Sequence, residues 1–140
     1  MMVKLLIGEK GSGKTKLLLE RVSEALANSK GHVVCVEKDD LLRYQVSYRV
    51  RLLAAANYGI SGYDAFYGFL SGLCAGDHDI TDILVDATLK IGGRNYEELA
   101  SFMARIARLS ELTGTVFTFT VSTGRENLPE EMLKYCEIVN

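Results

Sequence analysis

Eight residues near the start of the chain have the types and the spacing that bind phosphate. Residues 8–15 read Gly-Glu-Lys-Gly-Ser-Gly-Lys-Thr and match the pattern G-x-x-x-x-G-K-[ST]. The glycines allow positive φ angles and a close approach of the backbone to a ligand. The loop amides would form a concave anion-binding nest at the N-terminal end of the next helix. The pattern predicts that Lys14 reaches the β- and γ-phosphates of a nucleotide and that Thr15 places its hydroxyl on Mg²⁺.

The predicted nucleotide contacts extend over the whole loop and into the first residues of the helix. They are Gly8, Glu9, Lys10, Gly11, Ser12, Gly13, Lys14, Thr15 and Lys16. A glycine-rich turn without a ligand is the alternative. It is disfavoured because three glycines cost backbone entropy and bring no structural gain of their own.

Two acidic residues that follow apolar runs are candidates for the rest of this site. Asp86 follows residues 83–85, and its carboxylate would hold Mg²⁺ on the side opposite Thr15. Glu37 follows residues 33–36 and could orient a water molecule for attack on the γ-phosphate. Glu37 equally fits a charged residue that leaves a strand, and both readings stay open at this point.

Later loops supply the remaining candidates. Residues 115–122 alternate apolar and polar side chains, so Ser122 either contacts the γ-phosphate or belongs to a strand with thin helix cover on one face. Arg94 and Arg125 lie in loops that contain glycine. Either arginine could stabilise the γ-phosphate, in cis or from a neighbouring subunit. Ser122 and Arg125 are therefore added to the predicted nucleotide contacts.

Alternating strands and helices must position these residues. Apolar runs predict strands at residues 3–7, 32–36, 80–86, 115–122 and 136–139. Helical spacing and caps predict helices at residues 16–28, 41–56, 61–74 and 95–112, with a short helix around Pro129. This order predicts an α/β fold in which one domain, residues 1–140, contains a five-stranded, mostly parallel sheet with right-handed crossovers. Ligands bind such sheets at the carboxyl ends of the strands.

Composition limits the classes of partner. The formal net charge is −2 and the isoelectric point is about 5.7, so the chain as a whole does not attract nucleic acid. Arg43, Arg49 and Arg51 would point in different directions on the predicted helix 41–56 and would not form a phosphate-binding face. Three cysteines without a C-x-x-C pair indicate reduced core residues. With no apolar run of membrane length and no signal peptide, a cytoplasmic protein is expected.

The chain resembles the P-loop NTPase superfamily in its residues 8–15 and in the strand–loop–helix setting around them. Within that superfamily, residues 32–37 resemble the stretch of the RecA and KaiC group that ends in the catalytic glutamate. Residues 83–87 resemble its Walker B strand. The resemblance implies a three-layer fold, ATP and Mg²⁺ as ligands, and catalytic roles for Lys14 and Glu37. Ser122 stands where that group usually has a glutamine sensor, and the loops for DNA strand exchange have no counterpart here.

Three functions remain open. A slow Mg²⁺-dependent ATPase is the first, and the absent guanine-specifying motif N-K-x-D argues against a Ras-type GTPase. A small-molecule kinase is the second, with Asp39 or Glu37 accepting the proton of an acceptor hydroxyl. A non-catalytic nucleotide sensor is the third. We expect ATP or ADP as a ligand and leave room for a homo-oligomer or a protein partner, whereas nucleic acid is not supported.

Overall fold

Six parallel strands form a single sheet in the computed structural model, which describes residues 1–140. The strands are β1 Val3–Ile7, β2 His32–Glu37, β3 Arg51–Ala54, β4 Ile80–Val85, β5 Val116–Val121 and β6 Glu137–Ile138. Their spatial order is β3-β2-β4-β5-β1-β6, and every neighbouring pair is parallel. The strand β5 therefore separates β1, which leads into the glycine-rich loop of residues 8–15, from β4, which ends before Asp86.

Four α-helices connect these strands. They are α1 Lys14–Asn28, α2 Tyr63–Gly76, α3 Thr88–Gly92 and α4 Tyr96–Thr113. Short 3-10 helices cover Ala55–Tyr58, Arg125–Asn127 and Glu130–Lys134. The helix α4 begins at an Asn95 cap, whose side-chain oxygen accepts from the backbone N–H groups of Glu97 and Glu98 at 3.0 Å. It ends at Gly114 in the left-handed conformation, so the prediction for this helix is confirmed.

Each face of the sheet has its own apolar core. On one face α1 packs Leu18 and Val22 against strand residues that include Cys35 and Leu84. On the other face α2 and α4 bury a larger cluster, in which the rings of Phe66 and Phe102 stack with centroids 4.7 Å apart. Helices thus cover both sides of the parallel sheet, and the architecture is the predicted three-layer α/β fold.

The prediction of five strands and of a helix at residues 41–56 is wrong. Residues 51–54 instead form β3, which pairs in parallel with residues 34–37 of β2 at the edge of the sheet. Residues 41–50 form two turns, closed by hydrogen bonds from Gln45 N–H to Leu42 C=O and from Val50 N–H to Ser47 C=O. The apolar positions 42, 46 and 50 have helical spacing, but two of them are valines, and two tyrosines and a serine lie between them. These residue types have weak helix propensity, so tertiary packing decides the conformation.

The cysteine prediction is confirmed, because Cys35, Cys74 and Cys136 are all free and buried. Burial raises the pKa of the Cys35 and Cys136 thiols to about 12, with a smaller contribution to Cys35 from nearby carboxylates. None of the helices is both long and apolar enough to cross a membrane.

Candidate functional site

The glycine-rich loop of residues 8–15 has the backbone conformation that its glycines predict. Gly8, Gly11 and Gly13 adopt φ angles of 149°, 86° and 87°. A Cβ atom on Gly8 would lie 2.4 Å from the Ser12 Oγ, so a side chain at this position would collide with the loop itself. The Gly8 N–H donates to the Thr123 carbonyl at 3.0 Å. This bond ties the start of the loop to the end of β5.

Lys14 is a buried cation without an acidic partner. The residue is only 7% exposed, and its Nζ donates to the Glu9 carbonyl at 3.0 Å and approaches the Ser12 Oγ at 3.4 Å. No carboxylate lies within 4 Å of this amine, since none of the ion pairs in the chain involves Lys14. Buried lysines are rare unless they are paired, so this arrangement calls for an anion.

The first turn of α1 adds further capacity for an anion. Its N-cap is Gly13, which has no side chain that could accept from the first amides of the helix. The first N–H groups of a helix lack partners within the helix, and they carry the positive end of its dipole. Backbone donors and the Lys14 amine therefore converge at the same loop.

Asp86 joins the loop to the neighbouring strands through two hydroxyl groups. The Thr15 Oγ1 lies 3.2 Å from one carboxylate oxygen of Asp86 and 3.4 Å from the other. The Thr120 Oγ1 donates to Asp86 Oδ1 at 2.7 Å. A hydroxyl and a carboxylate are hard oxygen donors, and Mg²⁺ commonly takes one or two such protein ligands together with phosphate oxygens and water. The residues present thus fit the ion.

The backbone immediately after Asp86 is strained. Ala87 has φ 64° and ψ 50°, and it is the one non-glycine residue with positive φ in the chain. Its N–H donates to the Thr120 Oγ1 at 2.8 Å, so one hydroxyl holds both the carboxylate and the strained amide. Such strain costs about 1–3 kcal/mol and clusters at functional sites. Sequence reasoning missed Thr120, although the alternating threonines of residues 115–122 marked the strand.

These residues line one cavity of about 420 Å³ at the carboxyl edge of the sheet. The lining residues are Lys10, Gly11, Gly13, Lys14, Thr15, Asp86, Ala87, Leu89, Lys90, Arg94, Thr120 and Ser122. Four are basic and one is acidic, so the cavity carries excess positive charge and suits a polyanion.

The basic residues Lys90 and Arg94 reach the cavity from α3 and from the loop that follows it. This segment is fastened to α2, because the Tyr63 hydroxyl donates to the Gly93 carbonyl at 2.7 Å and the Gly62 N–H donates to the Ile91 carbonyl at 2.9 Å. Arg94 was a sequence candidate, whereas Lys90 was missed. No motif marks Lys90, and only the fold brings it to the site.

The other predicted contacts differ in their placement. Ser122 lines the cavity as expected. The Glu9 carbonyl and the Ser12 hydroxyl accept hydrogen bonds from the Lys14 amine. Lys16 is exposed on the first turn of α1 and does not line the cavity. Arg125 is corrected, because it lines a different cavity together with Met1 and residues of the C-terminal segment. After β5 the chain enters a 3-10 helix that begins at Arg125, so this arginine lies outside the first cavity.

Glu37 does not line the cavity, which corrects the expected direction of its side chain. One carboxylate oxygen accepts from the backbone N–H groups of Leu41 and Leu42 at 2.9 and 3.2 Å. The other accepts from Leu42 at 3.3 Å. Burial raises the pKa of this carboxyl, and the two amides partly offset that effect. Because the chain turns back directly after β2, these amides are the nearest partners of the buried charge.

Comparison with known proteins supports the fold. The flagellar accessory protein FlaH from Methanocaldococcus jannaschii superimposes with a TM-score of 0.63 at 16% identity, over 95% of this chain and 65% of FlaH. The pCW3 conjugation coupling protein TcpA, in its monomer form with ATPγS, gives 0.57 at 13% identity, over 96% of this chain and 48% of TcpA. No protein-family model and no curated protein sequence matches the chain. The chain thus shares its fold with these two proteins and spans less than two thirds of either structure.

Proposed function

We propose that this protein binds ATP with Mg²⁺ in the cavity of residues 8–15 and hydrolyses it slowly, as a minimal ATPase of the RecA type. The buried amine of Lys14 carries this proposal. A lysine that is 7% exposed and has no acid within 4 Å needs a bound anion to balance its charge. The phosphates of a nucleotide meet this need and also match the free amides of α1.

Each residue then has a distinct role. The loop amides and Lys14 hold the β- and γ-phosphates, and Lys90 and Arg94, which also line the cavity, balance the remaining negative charge. Thr15 and Asp86 hold Mg²⁺, which when bound neutralises phosphate charge. Thr120 keeps the Asp86 carboxylate in position through its 2.7 Å hydrogen bond.

The RecA-type assignment rests on the strand ends. Asp86 follows directly after β4, Ser122 follows directly after β5, and both line the same cavity. The position of Asp86 agrees with the resemblance of residues 83–87 to a Walker B strand, whereas Ser122 stands in place of the usual glutamine. The likeness of the fold to TcpA, whose structure contains ATPγS, is consistent with ATP as the nucleotide.

A non-catalytic nucleotide sensor is the second candidate, and the carboxylates favour it. Asp86 is the one acidic residue that lines the cavity, and its charge serves the metal side. Glu37 is engaged with the Leu41 and Leu42 amides. The cavity therefore offers no second carboxylate to take a proton from water or from an acceptor hydroxyl, which weakens the kinase alternative most and agrees with slow hydrolysis at best.

Nucleotide titration of the purified protein tests this proposal. We expect calorimetric binding of ATP and ADP that strengthens with Mg²⁺, together with turnover well below the typical enzyme value of about 10 s⁻¹. Binding without any turnover would favour the sensor. If neither ATP nor GTP binds with or without Mg²⁺, the assignment of residues 8–15 as a nucleotide site is wrong.

A further inference from the structure

The loop between β2 and β3 displays two tyrosines almost completely to solvent. Tyr44 is 94% exposed and Tyr48 is 95% exposed, the highest values among the large hydrophobic side chains of the chain. We call residues 38–50 the tyrosine loop. Large aromatic side chains on a surface usually mark an interaction site when they cluster with residues that complement a ligand.

The tyrosine loop is held firmly on the protein. Leu42 and Val50 are 4% and 5% exposed and belong to the core on the α1 face of the sheet. The Glu37 carboxylate accepts hydrogen bonds from the backbone N–H groups of Leu41 and Leu42 in this loop. Because inward residues anchor the loop at both ends, the exposed positions of Tyr44 and Tyr48 follow from the fold.

Basic residues accompany each exposed ring. Arg43 precedes Tyr44 in the first turn, and Arg49 follows Tyr48 in the second. Residues 38–50 contain three basic and two acidic residues, a net charge of +1, and Arg51 follows directly, in a chain whose net charge is −2. Arg43 pairs with Asp40, whereas Lys38, Arg49 and Arg51 have no acid within 4 Å. The loop is therefore a local positive patch on an acidic protein.

A groove runs between the tyrosine loop and the edge strand β3. Its volume is about 430 Å³, and Tyr48 and Tyr58 both line it. Apolar side chains of Val46, Val50 and Leu52 are also part of its surface, and Arg43 and its ion-pair partner Asp40 line it together. The groove thus offers aromatic and apolar faces that suit bases, while the unpaired cations that suit phosphates, Lys38, Arg49 and Arg51, lie outside its lining.

We propose that the tyrosine loop and this groove bind single-stranded nucleic acid, with bases stacked on the tyrosines and phosphates on the arginines. On the helix predicted from the sequence, Arg43, Arg49 and Arg51 would point in different directions. In the structure these residues lie on two turns and at the start of β3 instead. The surface lies beyond the nucleotide cavity and shares no lining residue with it.

The charge distribution favours nucleic acid over a protein partner. Protein interfaces usually have an apolar centre depleted of charged residues. Here arginines adjoin both exposed tyrosines, and Lys38, Arg49 and Arg51 have no acid within 4 Å that would neutralise them. A single strand uses both components, because its bases have apolar faces and its backbone carries one charge per nucleotide.

Fluorescence anisotropy with labelled oligonucleotides tests the proposal on the full chain. Oligo-dT and oligo-U of about 12 nucleotides fall within the site sizes of single-strand-binding modules. We expect saturable binding near 50 mM salt that weakens steeply near 200 mM, as phosphate contacts require. The double variant Tyr44→Ala/Tyr48→Ala should raise Kd by about tenfold or more, and Arg49→Ala/Arg51→Ala should raise Kd and flatten the salt dependence.

Matched controls separate this surface from the rest of the protein. The variant Tyr135→Ala/Arg108→Ala removes an exposed tyrosine and an exposed arginine elsewhere and should bind like the parent. Lys14→Ala should also bind like the parent, because oligonucleotide binding does not use the nucleotide cavity. Loss of binding in either control, unchanged binding in the tyrosine variant, or no saturable binding at all would overturn the proposal. A tyrosine variant that changes the oligomeric state and leaves oligonucleotide binding intact would identify a protein interface instead.

Discussion

Asp86 and Glu37 stand side by side on neighbouring strands, yet the fold uses them in opposite ways. Val36 pairs with Val85 in the sheet, so the two acids that follow lie at the same level. Asp86 faces the cavity and bonds to the hydroxyls of Thr15 and Thr120. Glu37 is 3% exposed and bonds to the Leu41 and Leu42 amides of the tyrosine loop. An acid at the end of a strand therefore acquires its role from the chain that follows it.

The two segments after these acids explain the difference. After Asp86 the chain continues through the strained Ala87 into α3, and the Ala87 N–H donates to the Thr120 hydroxyl and not to the carboxylate. After Glu37 the chain folds back, and the backbone N–H groups of Leu41 and Leu42 donate to the Glu37 carboxylate. The first arrangement leaves a charge open to a ligand, whereas the second uses a charge to organise a loop.

The largest effect is expected from Lys14→Ala, which tests whether the Asp86 side is the nucleotide site at all. The substitution removes the buried amine, and ATP affinity should fall about 100-fold or more because hydrogen bonds to charged groups are lost. Calorimetry measures this affinity, and circular dichroism should show an intact fold. Lys30→Ala, at the opposite edge of the sheet, is the control and should bind like the parent.

Asp86→Asn should have the next largest effect on ATP affinity, and it should distinguish the role of Asp86 from that of Glu37. The variant loses the charge on the metal side, so affinity for ATP with Mg²⁺ should fall about tenfold or more, with a change below about threefold when EDTA removes the metal. Glu37→Gln, measured alongside, should leave both affinities unchanged. Equal losses for Asp86→Asn with and without Mg²⁺ would show that Asp86 has no role on the metal side.

Glu37→Ala should affect stability more than nucleotide binding. It leaves the Leu41 and Leu42 amides without their acceptor, which costs about 1–3 kcal/mol in the free energy of unfolding. Urea denaturation measures this loss, and trypsin should cleave faster at Arg43 and Arg49. Glu37→Gln retains an acceptor oxygen and should lose less.

The same variants decide the catalytic question for Glu37. If its role is confined to the tyrosine loop, Glu37→Gln should hydrolyse ATP at the parent rate. A fall of about 10²–10⁴ without loss of ATP affinity would instead indicate general-base catalysis. The loop would then have to release Glu37 when the nucleotide binds, and the contrast with Asp86 would disappear.

The smallest effect concerns a pair at the opposite edge of the sheet, where nucleotide plays no part. The His32 Nδ1 lies 2.6 Å from an Asp77 carboxylate oxygen, and this hydrogen bond raises the pKa of His32 and lowers the pKa of Asp77. A raised histidine pKa contributes stability that is present below the unfolded value of 6.5 and is lost as pH rises through the folded value.

The lowered pKa of Asp77 sets the lower end of the pH range in which the pair stabilises the fold. The stability that Asp77 contributes is present above its unfolded pKa of 3.8 and is lost as pH falls through its folded pKa. The pair therefore stabilises the fold in mildly acidic solution. We expect the difference in Tm between the parent and Asp77→Asn to be larger at about pH 5.5 than at about pH 8.5. A difference that does not change between these values would contradict this expectation.

Local sequence determined the parts of the molecule that depend on residue type over a few positions. The loop of residues 8–15 needs positive φ at fixed positions, which glycine supplies, and the Asn95 and Gly114 ends of α4 depend on their own side chain or its absence. The apolar run before Asp86 marked β4 in the same way. These elements follow from short-range sterics and hydrogen bonds, so they could be predicted without knowledge of the fold.

Tertiary structure alone decided which segments distant in sequence come into contact. It placed β5 between β1 and β4, which brings Thr120 to Asp86, and it brought Lys90 from α3 to the cavity. It also converted the predicted helix after Glu37 into the tyrosine loop and β3. Burial of Leu42, Val50 and Leu53 in the two cores of the sheet outweighs differences in helix propensity, which amount to only tenths of a kcal/mol per residue.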